Sequence, residues 1–252
     1  MTAPLLQVEK ASKQFGGLRA VDCASLDVAA GAIIGLIGPN GAGKTTLFAL
    51  ISGFETPTSG AIRFKGEDIA GKPAHIRARL GIARTFQIVR PFAGLSVREN
   101  IAVGAHLRHR ARDEALQRAE AVARLVGLAD KLDAPASGLT VAGRKRLELA
   151  RALATEPSLL LLDEVLAGLN PSEVRDVLPV IAQISRSGVA ILMVEHVMQA
   201  VMSLCERVFV LAQGQIIADG TPAVVTRDRR VIEAYLGAGA AARLTAGEGA
   251  RG

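Results

Sequence analysis

Ala32-Ile33-Ile34-Gly35-Leu36-Ile37-Gly38-Pro39-Asn40-Gly41-Ala42-Gly43-Lys44-Thr45-Thr46 is the stretch on which the fold turns. Its first six residues are a short apolar run bounded by glycine, which predicts a buried strand. Gly38 to Thr45 then satisfies G-x-x-x-x-G-K-[ST] at every fixed position. Beyond it, Leu47, Leu50, Ile51 and Phe54 recur at i, i+3, i+4 and i+7, the stripe of an amphipathic helix. Strand, glycine-rich turn and helix in that order make a phosphate loop. Glycines let successive N–H groups face the phosphates, and the helix adds the positive end of its dipole. Lys44 is placed to reach the β- and γ-phosphates and the Thr45 hydroxyl to ligate Mg²⁺.

A second motif lies farther along. Leu159-Leu160-Leu161-Leu162-Asp163-Glu164 is an apolar strand ending in two carboxylates. Asp163 stands where a phosphate-loop protein holds Mg²⁺, and Glu164, one residue on, points elsewhere and can polarise an attacking water.

Between and around these motifs the pattern alternates. Leu5 to Ala30 reads as short strands, Pro57 to Gly60 as a turn and Ala61 to Phe64 as another strand. Helical periodicity takes over from Ser96. That residue and Glu99 form a capping box, a second helix spans 113 to 127, and a third runs from Arg144 to Ala154 with an Arg144–Glu148 pair. Strands follow at Leu159 to Asp163, Val189 to Val194, Val208 to Leu211 and Gln215 to Ala218. Helices are expected between Pro171 and Arg186 and after His196. Such alternation implies a mostly parallel sheet covered on both faces, with the helical block at about 90–155 as an inserted lobe. A single domain is expected over 1–237, with 238–252, rich in Ala, Gly and Arg, as a loose tail.

Composition narrows the class. The chain has 252 residues, no Trp and only eight Phe plus Tyr, so its core must be aliphatic. Half of it is hydrophobic and 21% is charged, which excludes a disordered chain. Cys23 and Cys205 share no metal-ligand spacing, and both are expected as buried free thiols in a reducing compartment. Neither a signal peptide nor a membrane-spanning run is legible. The net charge is +6, and residues 72–151 alone carry sixteen Lys/Arg against seven Asp/Glu. These cations fall at helical spacing without interleaved aromatics, so solvated helix faces are expected rather than a nucleic-acid surface.

Taken with what lies between them, the two motifs resemble the ATP-binding subunits of ABC transporters, from Leu5 to about Gly237. The resemblance implies an α/β P-loop NTPase core with an N-terminal antiparallel part. It further implies roles for single residues. Phe15 would stack on adenine and Val21 would contact it. Gln87, in Arg84-Thr85-Phe86-Gln87, would touch Mg²⁺ and the attacking water and connect to the membrane partner. His196 would contact the γ-phosphate. Leu139-Thr140-Val141-Ala142-Gly143 matches the family signature, which approaches the ATP of a second subunit, and Ala167-Gly168-Leu169-Asn170 matches the loop at the dimer interface. The signature departs from Leu-Ser-Gly-Gly-Gln, keeping only the leucine and a hydroxyl at Thr140. Val141 is stiff and Ala142 carries a methyl where phosphate should come close, so a weakened composite site is expected.

The runs Gly81 to Gln87 and Arg90 to Asn100, and the ending Val231 to Gly237, look like the longer ATPase subunit of branched-chain amino-acid uptake systems. Relatives of that kind also import urea, short amides and aromatic acids. The implied protein is an ATPase using ATP and Mg²⁺. It would pair with a second ATPase chain and two permeases, serve an extracytoplasmic solute-binding protein indirectly, and lie peripherally at the cytoplasmic face of the membrane. The alternatives are the ATPase of a lipid exporter, or a soluble ABC ATPase acting on nucleic acid or ribosomes. One cassette and no sustained heptads count against the latter.

Overall fold

The structure, a computed structural model, describes residues 3–87 and 90–236; the expected tail, 238–252, lies outside them. Two strands open the chain, β1 (Leu6–Phe15) and β2 (Leu18–Val28), joined by a tight turn at Gly16-Gly17. They are ten and eleven residues long, not the short strands expected, because irregular register between Val8 and Gln14 breaks the alternation without ending the pairing. With β4 (Ser59–Phe64) and β5 (Glu67–Asp68) they form an antiparallel sheet in the order β2-β1-β4-β5.

The second sheet has six strands in the order β10-β9-β3-β8-β7-β6. Its members are β3 (Ile33–Ile37), β6 (Ile82–Arg84), β7 (Leu159–Asp163), β8 (Ala190–Val194), β9 (Arg207–Ala212) and β10 (Gln215–Gly220). Only β10 runs antiparallel to its neighbour. Strands β3, β7 and β8 are buried at every residue, as a sheet covered on both faces requires. One apolar cluster fills the space between the two sheets around Phe48, Leu50 and Phe64, and another lies beneath the helices on the opposite face.

The helix after the glycine loop, α1 (Lys44–Ser52), ends two residues short of its apolar stripe, which runs to Phe54. Gly53 adopts a left-handed conformation and ends it, so Phe54 leaves the helix and sits 57% exposed against Phe86. A short helix not read from the sequence, α2 (Ala74–Leu80), covers the neighbouring edge. The helical block is α3 (Val97–Ala105), α4 (Arg112–Leu125) and α5 (Val141–Ala154), packed on one another. Ser96 and Glu99 make the expected capping box. Helix α5 begins three residues early because Thr140 caps it, and Glu148 pairs with Arg151 in place of Arg144. Among the described residues four α-helices follow: α6 (Pro171–Arg186), α7 (Met198–Leu204), α8 (Pro222–Val225) and α9 (Arg229–Leu236).

The thiols differ from expectation. Cys205 is buried, and burial pushes its pKa up to about 12. Cys23 is exposed, because it takes a left-handed conformation in β2 where Ser12 holds its amide.

Candidate nucleotide and catalytic site

In an open parallel sheet, ligands bind outside the carboxyl ends of the strands, where the strand order reverses. Strand β3 lies between β8 and β9, and the glycine loop leaves its carboxyl end. Glu164 and His196 leave the carboxyl ends of β7 and β8, beside it. The three meet at one open cleft of about 940 Å³, lined by the loop from Asn40 to Thr46 together with Gln87, Glu164 and His196.

The loop is built for backbone approach. A Cβ on Gly38 would lie 2.0 Å from the Leu211 carbonyl oxygen, and one on Gly43 would lie 2.3 Å from that of Ala20. Both have positive φ, so only glycine fits. Pro39 precedes the lining residues, and Ala42 is buried beneath the loop. Inside it, the Lys44 ammonium donates to the carbonyls of Gly38 at 2.7 Å and Pro39 at 3.0 Å. Burial lowers the Lys44 pKa, and the charges of Glu164 and Asp163 oppose that shift. The result is a cation clasped by carbonyls at the floor of a cradle of N–H groups. An anion placed there finds both.

The opposite wall is acidic. Glu164 has φ 50°, rare for a non-glycine residue. Its N–H donates to the Val194 carbonyl at 2.9 Å, and its own carbonyl accepts from Lys145 Nζ at 3.0 Å. Held in this way, the carboxylate faces two partners: Gln87 Nε2 donates to Oε2 at 2.6 Å, and His196 Nε2 lies 3.0 Å from Oε1. For that second contact to be a hydrogen bond, His196 Nε2 must carry the proton. Asp163 is not among the residues that line the cleft. It is buried, its Oδ2 accepts from Arg84 Nη2 at 2.8 Å, and its backbone N–H donates to Thr85 Oγ1.

Other expected residues are placed apart. Phe15 is exposed at the end of β1 with Lys13 Nζ 4.9 Å from its ring centroid, and Val21 is buried in the antiparallel sheet; Leu18 and Ala20 line the cleft instead. Thr140, Val141, Ala142 and Gly143 open α5 outside the cleft lining. Thr140 Oγ1 accepts from the Gly143 N–H at 3.1 Å, Val141 is exposed and Ala142 is buried.

The sequence reading missed three groups. Glu195, between β8 and His196, is 2% exposed and accepts from the Leu166 N–H at 3.0 Å, tying the histidine's segment to the loop after Glu164. Burial is the main cause that pushes its pKa up to about 7, with the Glu164 charge adding to it and Lys145 opposing. Tyr235 of α9 is the second: the residue is 43% exposed, and partial burial of the hydroxyl raises its pKa, opposed by the Gly38 backbone. The third is Lys145, which also reaches the Gln87 carbonyl at 3.4 Å. An acidic residue before a histidine at a strand end was the available signal for Glu195; nothing local marked the other two.

Glu195 supports a prediction. Its folded pKa lies above its ordinary 4.5, so the folded chain keeps a proton that the unfolded chain has released. Stability falls as pH rises from about 4.5 through about 7, by at most about 3 kcal/mol, and levels off above. Glu195→Gln will remove that component. Its melting temperature should match wild type near pH 5 and exceed it near pH 8. Parallel melting curves across this range would count against a buried, protonated Glu195.

A nucleotide cleft of this build, on this sheet, defines a phosphate-loop ATPase, and the comparisons with known proteins specify which. The ABC transporter family profile matches residues 21–167, and the chain belongs to this family. A profile described as branched-chain amino acid ATP-binding cassette transporter matches residues 215–241. The chain is 40% identical to the high-affinity branched-chain amino acid transport ATP-binding protein LivG of Escherichia coli, over 94% of this chain and 99% of that protein. With BraF, the corresponding protein of Pseudomonas aeruginosa, the identity is 41% over the same shares. Among solved structures, a nucleotide-free ATP-binding cassette from an ABC transporter superposes with a TM-score of 0.85 at 29% identity. It covers 93% of this chain and 100% of that one. The ADP conformation of such a cassette gives 0.84 at 30%, over 94% and 100%. The chain is an ABC ATPase cassette that binds ATP.

Proposed function

We propose that the chain is the ATPase subunit of an importer for branched-chain amino acids or related small polar solutes. The observation that carries this reading is the clustering of Lys44, Gln87, Glu164 and His196 at one cleft in a chain 40% identical to LivG. In this reading the loop from Gly38 to Thr46 holds the phosphates. Glu164 accepts the proton of the attacking water, while His196 and Gln87 orient its carboxylate. Phe15 provides an exposed ring for the base. The Thr45 hydroxyl, the Asp163 carboxylate and the Gln87 amide oxygen are hard oxygen donors on this side of the sheet and suit Mg²⁺. When bound, that ion would neutralise charge on the β- and γ-phosphates.

Because Thr140 to Gly143 stand outside this chain's own cleft, a complete site needs the signature of a second ATPase chain, a copy or a relative. Among the described residues no helix is long and apolar enough to cross a membrane, and the likeness to transport ATP-binding proteins supports permease subunits as the membrane partners. Their seat is an apolar groove of about 360 Å³ between the sheet and the helical block, walled by Phe54, Phe86, Ala78, Val103 and Ala152. An occupant there touches both the sheet and the helical block, and the likeness to transport ATP-binding proteins supports a peripheral place at the cytoplasmic face of the membrane.

The experiment is reconstitution of the chain with its permeases and binding protein in vesicles, measuring solute-dependent ATP hydrolysis and uptake. Val103→Glu puts a charge into the groove wall without touching the nucleotide cleft. It should retain ATP binding and lose the permeases on affinity purification. Full assembly of that variant would refute the assignment of the groove.

A further inference from the structure

Arg84 ends β6 between the apolar groove and the acidic wall of the nucleotide cleft. Its Nη2–H donates to Asp163 Oδ2 at 2.8 Å, and Nη1 lies 3.4 Å from Ser52 Oγ, in the last turn of the helix that begins at Lys44. The guanidinium is enclosed by rings: its carbon is 5.4 Å from the Phe86 centroid, 5.8 Å from that of Phe48 and 5.9 Å from that of Phe54. Phe54 and Phe86 are walls of the groove, both exposed, and meet edge to face at 5.6 Å between centroids. The Arg84 Nε–H is buried and meets no acceptor among the described residues.

These contacts have a joint consequence. A guanidinium donating to Asp163 Oδ2 competes for that oxygen with the water shell of a divalent cation. What holds the guanidinium there is partly its stacking on rings, an attraction that strengthens as water is excluded. The rings belong to the groove. A donor left without an acceptor also lowers the barrier to a new position, because moving costs it no bond at Nε.

We propose that Arg84 is a positioning residue that makes the availability of Asp163 to Mg²⁺ depend on what occupies the apolar groove. With the groove empty, the ion pair holds Asp163 back. An occupant that displaces Phe54 and Phe86 carries the guanidinium with them and frees the carboxylate. A parallel link runs from Phe86 to its neighbour Gln87 and so to Glu164. The inference rests on the groove being the permease seat and adds a physical route from that seat to the metal-binding acid.

The test begins with the isolated chain and a fluorescent ATP analogue, titrated with Mg²⁺. Arg84→Gln should bring the Mg²⁺ midpoint of analogue binding down by roughly fivefold or more. Arg84→Lys, which keeps the charge but not the flat stacking surface, should fall between it and wild type. A merely structural ion pair would lower the melting temperature and leave the midpoint in place. Should Arg84→Gln fail to fold, Phe86→Leu retains the pair, removes one ring, and should shift the midpoint in the same direction. An unchanged midpoint in the folded variants overturns the proposal. In the assembled transporter, the ratio of permease-stimulated to basal hydrolysis should collapse towards one in Arg84→Gln. A shifted midpoint with an intact ratio overturns the dependence on the groove, whereas full assembly of Val103→Glu overturns the seat itself.

Discussion

Glu164→Gln will bind ATP as wild type does and turn it over ~10²–10⁴-fold more slowly, the usual cost of losing a positioned general base. The geometry separates the two effects. Lys44 and the loop glycines make the anion cradle, and neither contacts the Glu164 side chain among the hydrogen bonds of the site. Glu164 sits across the cleft with one oxygen on Gln87 and the other on His196. A glutamine has the same shape, yet its amide nitrogen replaces one acceptor oxygen, so one partner must adjust: Gln87 by turning its amide oxygen to that nitrogen, or His196 by moving its proton to Nδ1. It also has negligible basicity towards water. Equilibrium titration of ATP against the variant, beside single-turnover hydrolysis in the assembled complex, reads the two quantities independently. Near-wild-type hydrolysis would move the role of base to another group, with His196 the first candidate.

Much of this site is legible in the sequence alone. The apolar run to Ile37, the glycines and Lys44 prescribe a strand, a loop of positive φ and a helix, and each does its work within a dozen residues. Asp163 and Glu164 are equally plain at the end of four leucines. The structure adds what proximity in sequence cannot carry. Glu195 reaches Leu166 across 29 positions, Lys145 reaches the Glu164 carbonyl across 19, and Arg84 meets Asp163 across 79. Such partners are set by the neighbouring of β6, β7 and β8 in the sheet and by the seating of α5 over them. Phe54 shows the opposite limit. Its spacing fits the helical stripe, but Gly53 takes the left-handed conformation that ends a helix, and the backbone overrides the pattern. Phe15 and Val21 belong to a different case. Their roles came from family resemblance alone, and the cleft is lined by Leu18 and Ala20, so their part in holding the base remains a proposal.

Lys44→Ala should abolish nucleotide binding rather than turnover. Lys44 is 6% exposed, and its ammonium donates to two loop carbonyls, Gly38 and Pro39. In the nucleotide complex the same donors can turn to phosphate oxygens, exchanging neutral acceptors for charged ones. Each charge-assisted bond of this kind contributes about 1.5–3 kcal/mol. Two of them correspond to a loss of ~10²–10⁴ in affinity when the side chain is removed. Electrostatics act in the same direction, since the Lys44 cation is near enough to Asp163 and Glu164 for their charges to act on it and offsets part of their repulsion of incoming phosphates. Without it, a polyanion would approach two carboxylates, of which only Asp163 has a paired guanidinium. The fold should survive, because the loop's shape comes from Gly38 and Gly43 packed on the Leu211 and Ala20 carbonyls rather than from the lysine. Thermal melting of the free variant would check that point, and titration with ATP in Mg²⁺ would measure the affinity. A folded variant that kept wild-type ATP affinity would show that the backbone cradle alone supplies the binding free energy and that the Lys44 ammonium is dispensable for it.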